Sequence, residues 1–139
     1  MSNNKTISSI MTTGPVVANQ FHNLSQVLRL FTEFPVHHLP VVDGNNKIIG
    51  IISSNDIPKL FVQLAGRSEK IKLDLDEIDK AVNLKDIMTS NPTTVSPDTL
   101  ITEAATILND KKFMSLPVVE NGALVGIVTL KDIVAHLVG

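Results

Sequence analysis

The chain has 139 residues, 43% of them hydrophobic and 19% charged, which suits one ordinary domain or two very small ones and excludes a disordered chain. A net charge of -2 and the absence of Trp and Tyr, with five Phe, argue against a nucleic-acid surface built on basic and stacking groups. Cysteine is absent, which removes disulfides, thiolate catalysis and Cys-based zinc sites together.

In chain order, Met1–Thr6 lacks an apolar signal core, and no apolar run nears the roughly 20 residues of a membrane span. We therefore expect a soluble, cytoplasmic protein. Ser8–Met11 reads as a short opening helix or turn, and Pro15–Ala18 as an extended stretch. An amphipathic helix follows, with Leu24, Val27, Leu28 and Phe31 as its apolar stripe and Asn23 as N-cap. Leu39–Val42 and Ile48–Ile52 are apolar at consecutive positions and flank a Gly/Asn-rich turn, Asp43–Lys47. They read as a hairpin of strands buried on both faces. A closing helix starts near Asn55. Arg67–Lys80 then carries nine charged residues in fourteen, which reads as a solvated linker or exposed helix, or as a partner-docking surface.

The same order then returns. Leu84–Met88 is the opening turn and Pro92–Val95 the extended stretch. Leu100, Ala104, Ile107 and Leu108 form the helical stripe, with Asp98 as cap. Leu116–Val119, the turn Glu120–Gly122 and Leu124–Val128 form the second hairpin, and the closing helix starts near Lys131. Ile10-Met11-Thr12, Pro15 and Leu39-Pro40-Val41-Val42 recur 77 positions later, whereas Gly50-Ile51 and Asp56-Ile57 recur 76 later. The single lost residue falls in the hairpin turn, where a structural repeat tolerates it. Each copy is too small to be stable alone, so the halves are expected to pack face to face about a pseudo-twofold axis.

The Ile-Met-Thr-x-x-Pro opening, the Leu-Pro-Val-Val strand and Gly-Ile-Ile-Ser-Ser-Asn-Asp56, with its mate Gly-Ile-Val-Thr-Leu-Lys-Asp132, resemble a tandem pair of CBS (cystathionine-beta-synthase) domains. The resemblance covers about Ile7 to Val138 and leaves no stretch for a catalytic, membrane or DNA-binding domain, so the chain reads as a free-standing pair. It implies an α+β fold of two βαββα CBS repeats about a pseudo-twofold axis, the Bateman module. The boundaries are 7–65 for the first repeat, 66–83 for the charged linker and 84–139 for the second repeat. It also implies adenosine-containing ligands bound in clefts between the repeats (AMP, ADP or ATP, or S-adenosylmethionine or NAD), with no cofactor required, and a homodimer acting on a regulated partner protein.

The motif has a physical logic. Ser53 and Thr129 lie at or near a helix N-cap, where a hydroxyl and free backbone N–H groups suit a sugar hydroxyl or phosphate oxygen. Asp56 and Asp132 can accept from both hydroxyls of a ribose, at roughly 1.5–3 kcal/mol per charge-assisted bond. The same residues also spell capping boxes. By resemblance each cleft is composite. One site joins Thr129 and Asp132 to Thr12, Val16, Val17, His37, His38 and Pro40. The other joins Ser53 and Asp56 to Thr89, Thr93, Thr94, Met114, Ser115 and Pro117. In some relatives a His-Arg pair holds phosphate where His37-His38 stands, so the site with the histidines is expected to prefer phosphorylated ligands and its mate a neutral adenosyl group, or none. The histidines also read as an exposed pair at a strand entrance. Two adjacent His on a strand point to opposite faces and make a poor metal site. The only arginines, Arg29 and Arg67, fall off the motif, which argues against tight triphosphate binding.

No Gly-x-Ser-x-Gly, Gly-Lys-[Ser/Thr] loop or carboxylate pair appears, and His22 and His136 stand apart, so no enzyme is expected. The rival readings are a ligand-free dimerisation scaffold, which would not need two intact Ser/Thr–Asp pairs, and a regulatory fragment of a larger enzyme or transporter. The start at Met1 and the end just after the closing helix weigh against the fragment.

Overall fold

Alternating apolar stripes and hairpin turns set the elements of the computed structural model, which describes residues 5–67 and 74–139. A 3-10 turn at Ile7–Ser9 precedes β1 (Thr12–Thr13), β2 (Ala18–Asn19) and α1 (Leu24–Glu33). The first hairpin is β3 (His38–Val42) and β4 (Ile48–Ser53), followed by α2 (Asp56–Arg67). Then come α3 (Leu75–Ala81), α4 (Leu84–Ile87), β5 (Thr89–Ser90) and α5 (Ile101–Lys111). The second hairpin is β6 (Ser115–Glu120) and β7 (Ala123–Thr129), and α6 (Leu130–Val138) follows it.

These elements form two compact units, and the units are not the two repeats. One unit has a three-stranded sheet, β1-β7-β6; the other has a four-stranded sheet, β2-β3-β4-β5. The described residues up to Pro15 join the second repeat's hairpin in the three-stranded unit, together with Asn45–Ile48 from the tip of the first hairpin. There Thr12 pairs with Ile127, Gly14 N–H donates to the Val125 carbonyl at 3.3 Å, and Asn46 exchanges two hydrogen bonds with the backbone of Leu124. Conversely, α4 and β5 open the second repeat but lie in the four-stranded unit, where Ile51 pairs with Thr89 and Gly50 with Ser90. The opening segments are thus exchanged between the repeats.

Each unit has its own core. In the four-stranded unit, Leu24 and Val27 of α1 pack with Leu39, Val41, Ile52, Leu60 and Leu64. In the three-stranded unit, Ile101, Ala104 and Leu108 of α5 pack with Ile7, Leu116, Val118, Val128 and Ile133. Leu→Ala at such positions typically costs about 2–5 kcal/mol. The exchanged segments are pinned by close approach. A side-chain carbon added at Gly50 would lie 2.4 Å from Met88 Sδ, and one at Gly126 would lie 2.8 Å from the Thr12 carbonyl oxygen. At Gly126 the obstacle is backbone and leaves room only for glycine, whereas at Gly50 it is the flexible Met88 side chain.

Three expectations change. Asn23 does cap α1, accepting from Gln26 N–H at 2.9 Å, but Asp98 does not cap α5. The chain first makes a turn in which Thr99 N–H donates to the Ser96 carbonyl, and α5 starts after Leu100, whose N–H donates to Glu103 Oε1 at 3.4 Å. Strand β4 is not buried throughout: Ile48, Ile49 and Ile51 are half-buried, while Gly50 and Ile52 are buried. Finally, the charged stretch is more than a solvated linker. Residues 68–73 of it lie outside the described residues, but α3 inserts Ile78 and, just after it, Val82 into the core of the four-stranded unit, at 1% and 6% exposure.

Candidate functional site

The Ser/Thr-x-x-Asp motif is a strand-to-helix corner in both units. In the three-stranded unit Thr129 is the N-cap of α6: its N–H donates to Asp132 Oδ2 at 2.8 Å and its Oγ1 accepts from Asp132 N–H at 3.2 Å. In the four-stranded unit Ser53 N–H donates to Asp56 Oδ2 at 3.0 Å. Here Ser53 Oγ accepts from Asn55 N–H at 3.2 Å, one residue earlier, because α2 starts only at Asp56. The capping-box reading is therefore correct for Thr129 and Asp132, and a variant of it holds for Ser53 and Asp56. Each carboxylate is fixed through one oxygen by a backbone N–H. Among the described residues no hydrogen-bond partner meets the other oxygen, so it remains available as an acceptor.

The residues ahead of Leu-Pro-Val join the motif of their own repeat. Ser54 N–H donates to the His37 carbonyl at 2.8 Å, and at the matching place Leu130 N–H donates to the Met114 carbonyl at 2.9 Å. Ser115 pairs with Thr129 across β6 and β7. The expected clefts group His37 and His38 with Thr129 and Asp132, and Met114 and Ser115 with Ser53 and Asp56; within each hairpin the backbone of these residues lies against the motif of its own repeat. A hairpin sets the start of its first strand against the end of its second, so His37 and His38 fall beside Ser53–Asp56. Thr12 lies in the unit of Thr129 and Asp132, and Thr89 in that of Ser53 and Asp56.

The remaining expected site residues divide in the same way. Val16 and Val17 are half-buried in the four-stranded unit, with Val16 packed on its core. Thr93 and Thr94 are exposed in the three-stranded unit, just before Val95, which bridges to Val118. Pro40 and Pro117 are fully buried within their strands and shape the hairpins from inside.

The two groups differ electrostatically. His37 is exposed and His38 half-buried. Desolvation by burial, reinforced by the neighbouring His37, holds His38 below the usual imidazole pKa, while Asp56 pulls it the other way. The equivalent corner of the three-stranded unit offers Met114 and Ser115, with no charge.

Sequence reasoning missed two hydrogen-bonded groups. His22 is not isolated: its Nδ1 accepts from Asn19 N–H at 3.0 Å and so closes the turn before α1. Asp79 of α3 accepts from Ser25 N–H at 2.9 Å and from Ser25 Oγ at 2.5 Å. The spacing Asn19-x-x-His22 was the available signal for the first; a contact spanning 54 residues left none for the second. No group of three or more metal-ligating side chains occurs among the described residues, and no helix among them is long and apolar enough to cross a membrane.

The chain is similar to known proteins along nearly its whole length. It is 30% identical to an uncharacterized protein of Methanocaldococcus jannaschii, MJ1426, over 89% of this chain and 86% of that one. Its fold superposes on CBSX2, solved in complex with AMP, with a TM-score of 0.77 at 30% identity over 96% of both chains. It also superposes on the CBS domain pair of MJ0100, solved with 5′-methylthioadenosine and S-adenosyl-L-methionine, with a TM-score of 0.81 at 26% identity over 97% of both. Other relatives are longer, and this chain spans 23% of a homoserine O-acetyltransferase from Methanohalobium evestigatum. The CBS domain model matches twice, at residues 7–62 and 84–139, and the chain belongs to the CBS domain family as a tandem pair of repeats.

Proposed function

We propose that this chain is a regulatory sensor of adenosine-containing ligands and not an enzyme. The observation that carries this reading is the Ser/Thr-x-x-Asp corner, present twice, with each carboxylate oriented by a backbone N–H. Such an acceptor suits the two hydroxyls of a ribose. The AMP bound by CBSX2 and the adenosyl ligands bound by MJ0100 support the same chemistry.

The groups divide the ligand classes. The Ser53–Asp56 group has His37 and His38 beside it and takes a phosphorylated ligand such as AMP or ADP. The phosphate draws His38 into its charged form, at a cost set by the imidazole's low starting pKa. The Thr129–Asp132 group, with Met114 and Ser115, takes a neutral adenosyl moiety. Ligand occupancy selects one arrangement of the chain and so changes a surface read by a regulated partner protein. A second copy of this chain covers α6, whose outward side carries Leu130, Val134, Leu137 and Val138, at 38%, 49%, 54% and 82% exposure.

A thermal-shift panel with AMP, ADP, ATP, S-adenosylmethionine and NAD, each at about 1 mM, tests the reading. A dissociation constant near 10 µM gives about 2.7 kcal/mol, a shift of several degrees at this length. No shift with any of them would sink the sensor and leave the ligand-free scaffold.

A further inference from the structure

The charged segment between the repeats leads from the start of α1 to the candidate phosphate group. At one end Asp79 holds the first turn of α1 through the Ser25 N–H and hydroxyl, and no other side chain of α3 hydrogen-bonds to α1 among the described residues. Three residues on, Val82 is buried in the core of the four-stranded unit, followed by Leu84 and Ile87 of α4. Met88 then lies over Gly50. Thr89 pairs with Ile51, two residues before Ser53, and Asn91 N–H donates to the Ile49 carbonyl at 3.2 Å. Each step is a packed or hydrogen-bonded contact, so displacement at one end is transmitted through a contiguous path.

Among the described residues the other repeat shows no such fastening. The matching helix start is tied by Ile101 N–H donating to the Lys5 carbonyl, a backbone contact that engages no carboxylate. Among the described residues, only the four-stranded unit has a side-chain latch at the start of its covering helix.

We propose that residues 79–91 form a conformational strap, latched by Ser25 and Asp79, whose closure and the occupancy of the Ser53–Asp56 group stabilise each other. The ligand half of this inference rests on the sensor reading; the mechanical half does not. Coupling of this kind is reciprocal: what loosens the latch weakens the ligand, and the ligand protects the latch.

Hydrogen exchange on the whole chain tests the strap, with AMP as the probe. Asp79→Ala removes both bonds; Ser25→Ala removes only the hydroxyl bond and serves if the first variant folds poorly. Without ligand, exchange at the Asn91 amide should quicken about tenfold in Asp79→Ala and less in Ser25→Ala, for a loss of one to two charge-assisted bonds. The Gly14 amide of the three-stranded unit should not change. With AMP, protection should extend from residues 51–56 to 79–91 in the wild type, and Asp79→Ala should bind AMP several-fold more weakly. Faster exchange confined to α1 and residues 74–82, with Asn91 unchanged, would overturn the strap. Unchanged AMP affinity on a loosened strap would overturn the coupling. If the wild type binds no AMP, the sensor reading fails, while the Asn91 amide still decides the strap.

Discussion

The four-stranded and three-stranded units share a hairpin, a covering helix and a glycine under an exchanged opening segment, yet they diverge around the same Asp corner. One has His37, His38 and a strap fastened by Asp79; the other has Met114, Ser115 and, among the described residues, an opening segment tied to its helix start through backbone. The shared parts are those that a buried hairpin cannot vary without losing its core. The divergent parts lie at the strand entrance and the helix start, where side chains meet solvent. Ligand choice can therefore change in one unit while the frame stays fixed.

The largest expected effect separates the two glycines. Gly126→Ala would drive its side chain against the Thr12 backbone oxygen, whereas Gly50→Ala meets the Met88 side chain, which can move. Thermal unfolding should show Gly126→Ala destabilised by about 3 kcal/mol and Gly50→Ala by about 1 kcal/mol. Equal costs would mean that the crossing segments are held alike. Next, Asp56→Asn keeps an oxygen for the Ser53 N–H but loses the charge, and should weaken AMP by roughly tenfold or more. Asp132→Asn should leave that AMP event unchanged.

A smaller effect concerns His38. Replacing it by Gln should reduce AMP affinity several-fold and leave adenosine affinity alone. In the wild type, AMP affinity should rise as pH falls from about 8 to 6.5, because binding draws a proton onto the imidazole, while adenosine affinity stays flat. The smallest effect is on stability. His38 has a lowered pKa when folded, so as pH falls through the usual imidazole value, near 6.5, the unfolded chain protonates first. Its contribution is complete above that value and is lost below it. The melting temperature of the wild type should therefore drop more than that of His38→Gln between about pH 7.5 and 5.5.

Both hairpins were legible because a repeat in register, at 77 and then 76 positions, fixes equivalent elements; the Asn23 cap was legible from its residue type ahead of an apolar stripe, and the grouping of Thr12 with Thr129 and of Thr89 with Ser53 came from the resemblance. The structure widens the difference in the turn: the first hairpin leaves residues 43–47 between its strands, the second only Asn121 and Gly122. That the backbone of His37 lies beside Ser54 was legible too, since a hairpin sets the start of its first strand against the end of its second. A helix in the charged stretch was one of its readings, but its packing was hidden, because Ile78 of α3 and Val82 just after it give a stripe too narrow to stand out among nine charges. The latch between Ser25 and Asp79 leaves no local pattern at all.

Calorimetric titration of AMP and of adenosine into the wild type, Asp56→Asn and Asp132→Asn tests the division of labour directly. The account predicts that AMP binding is weakened roughly tenfold or more in Asp56→Asn and kept in Asp132→Asn. AMP binding lost in Asp132→Asn and kept in Asp56→Asn would contradict it and return the phosphate to the other unit.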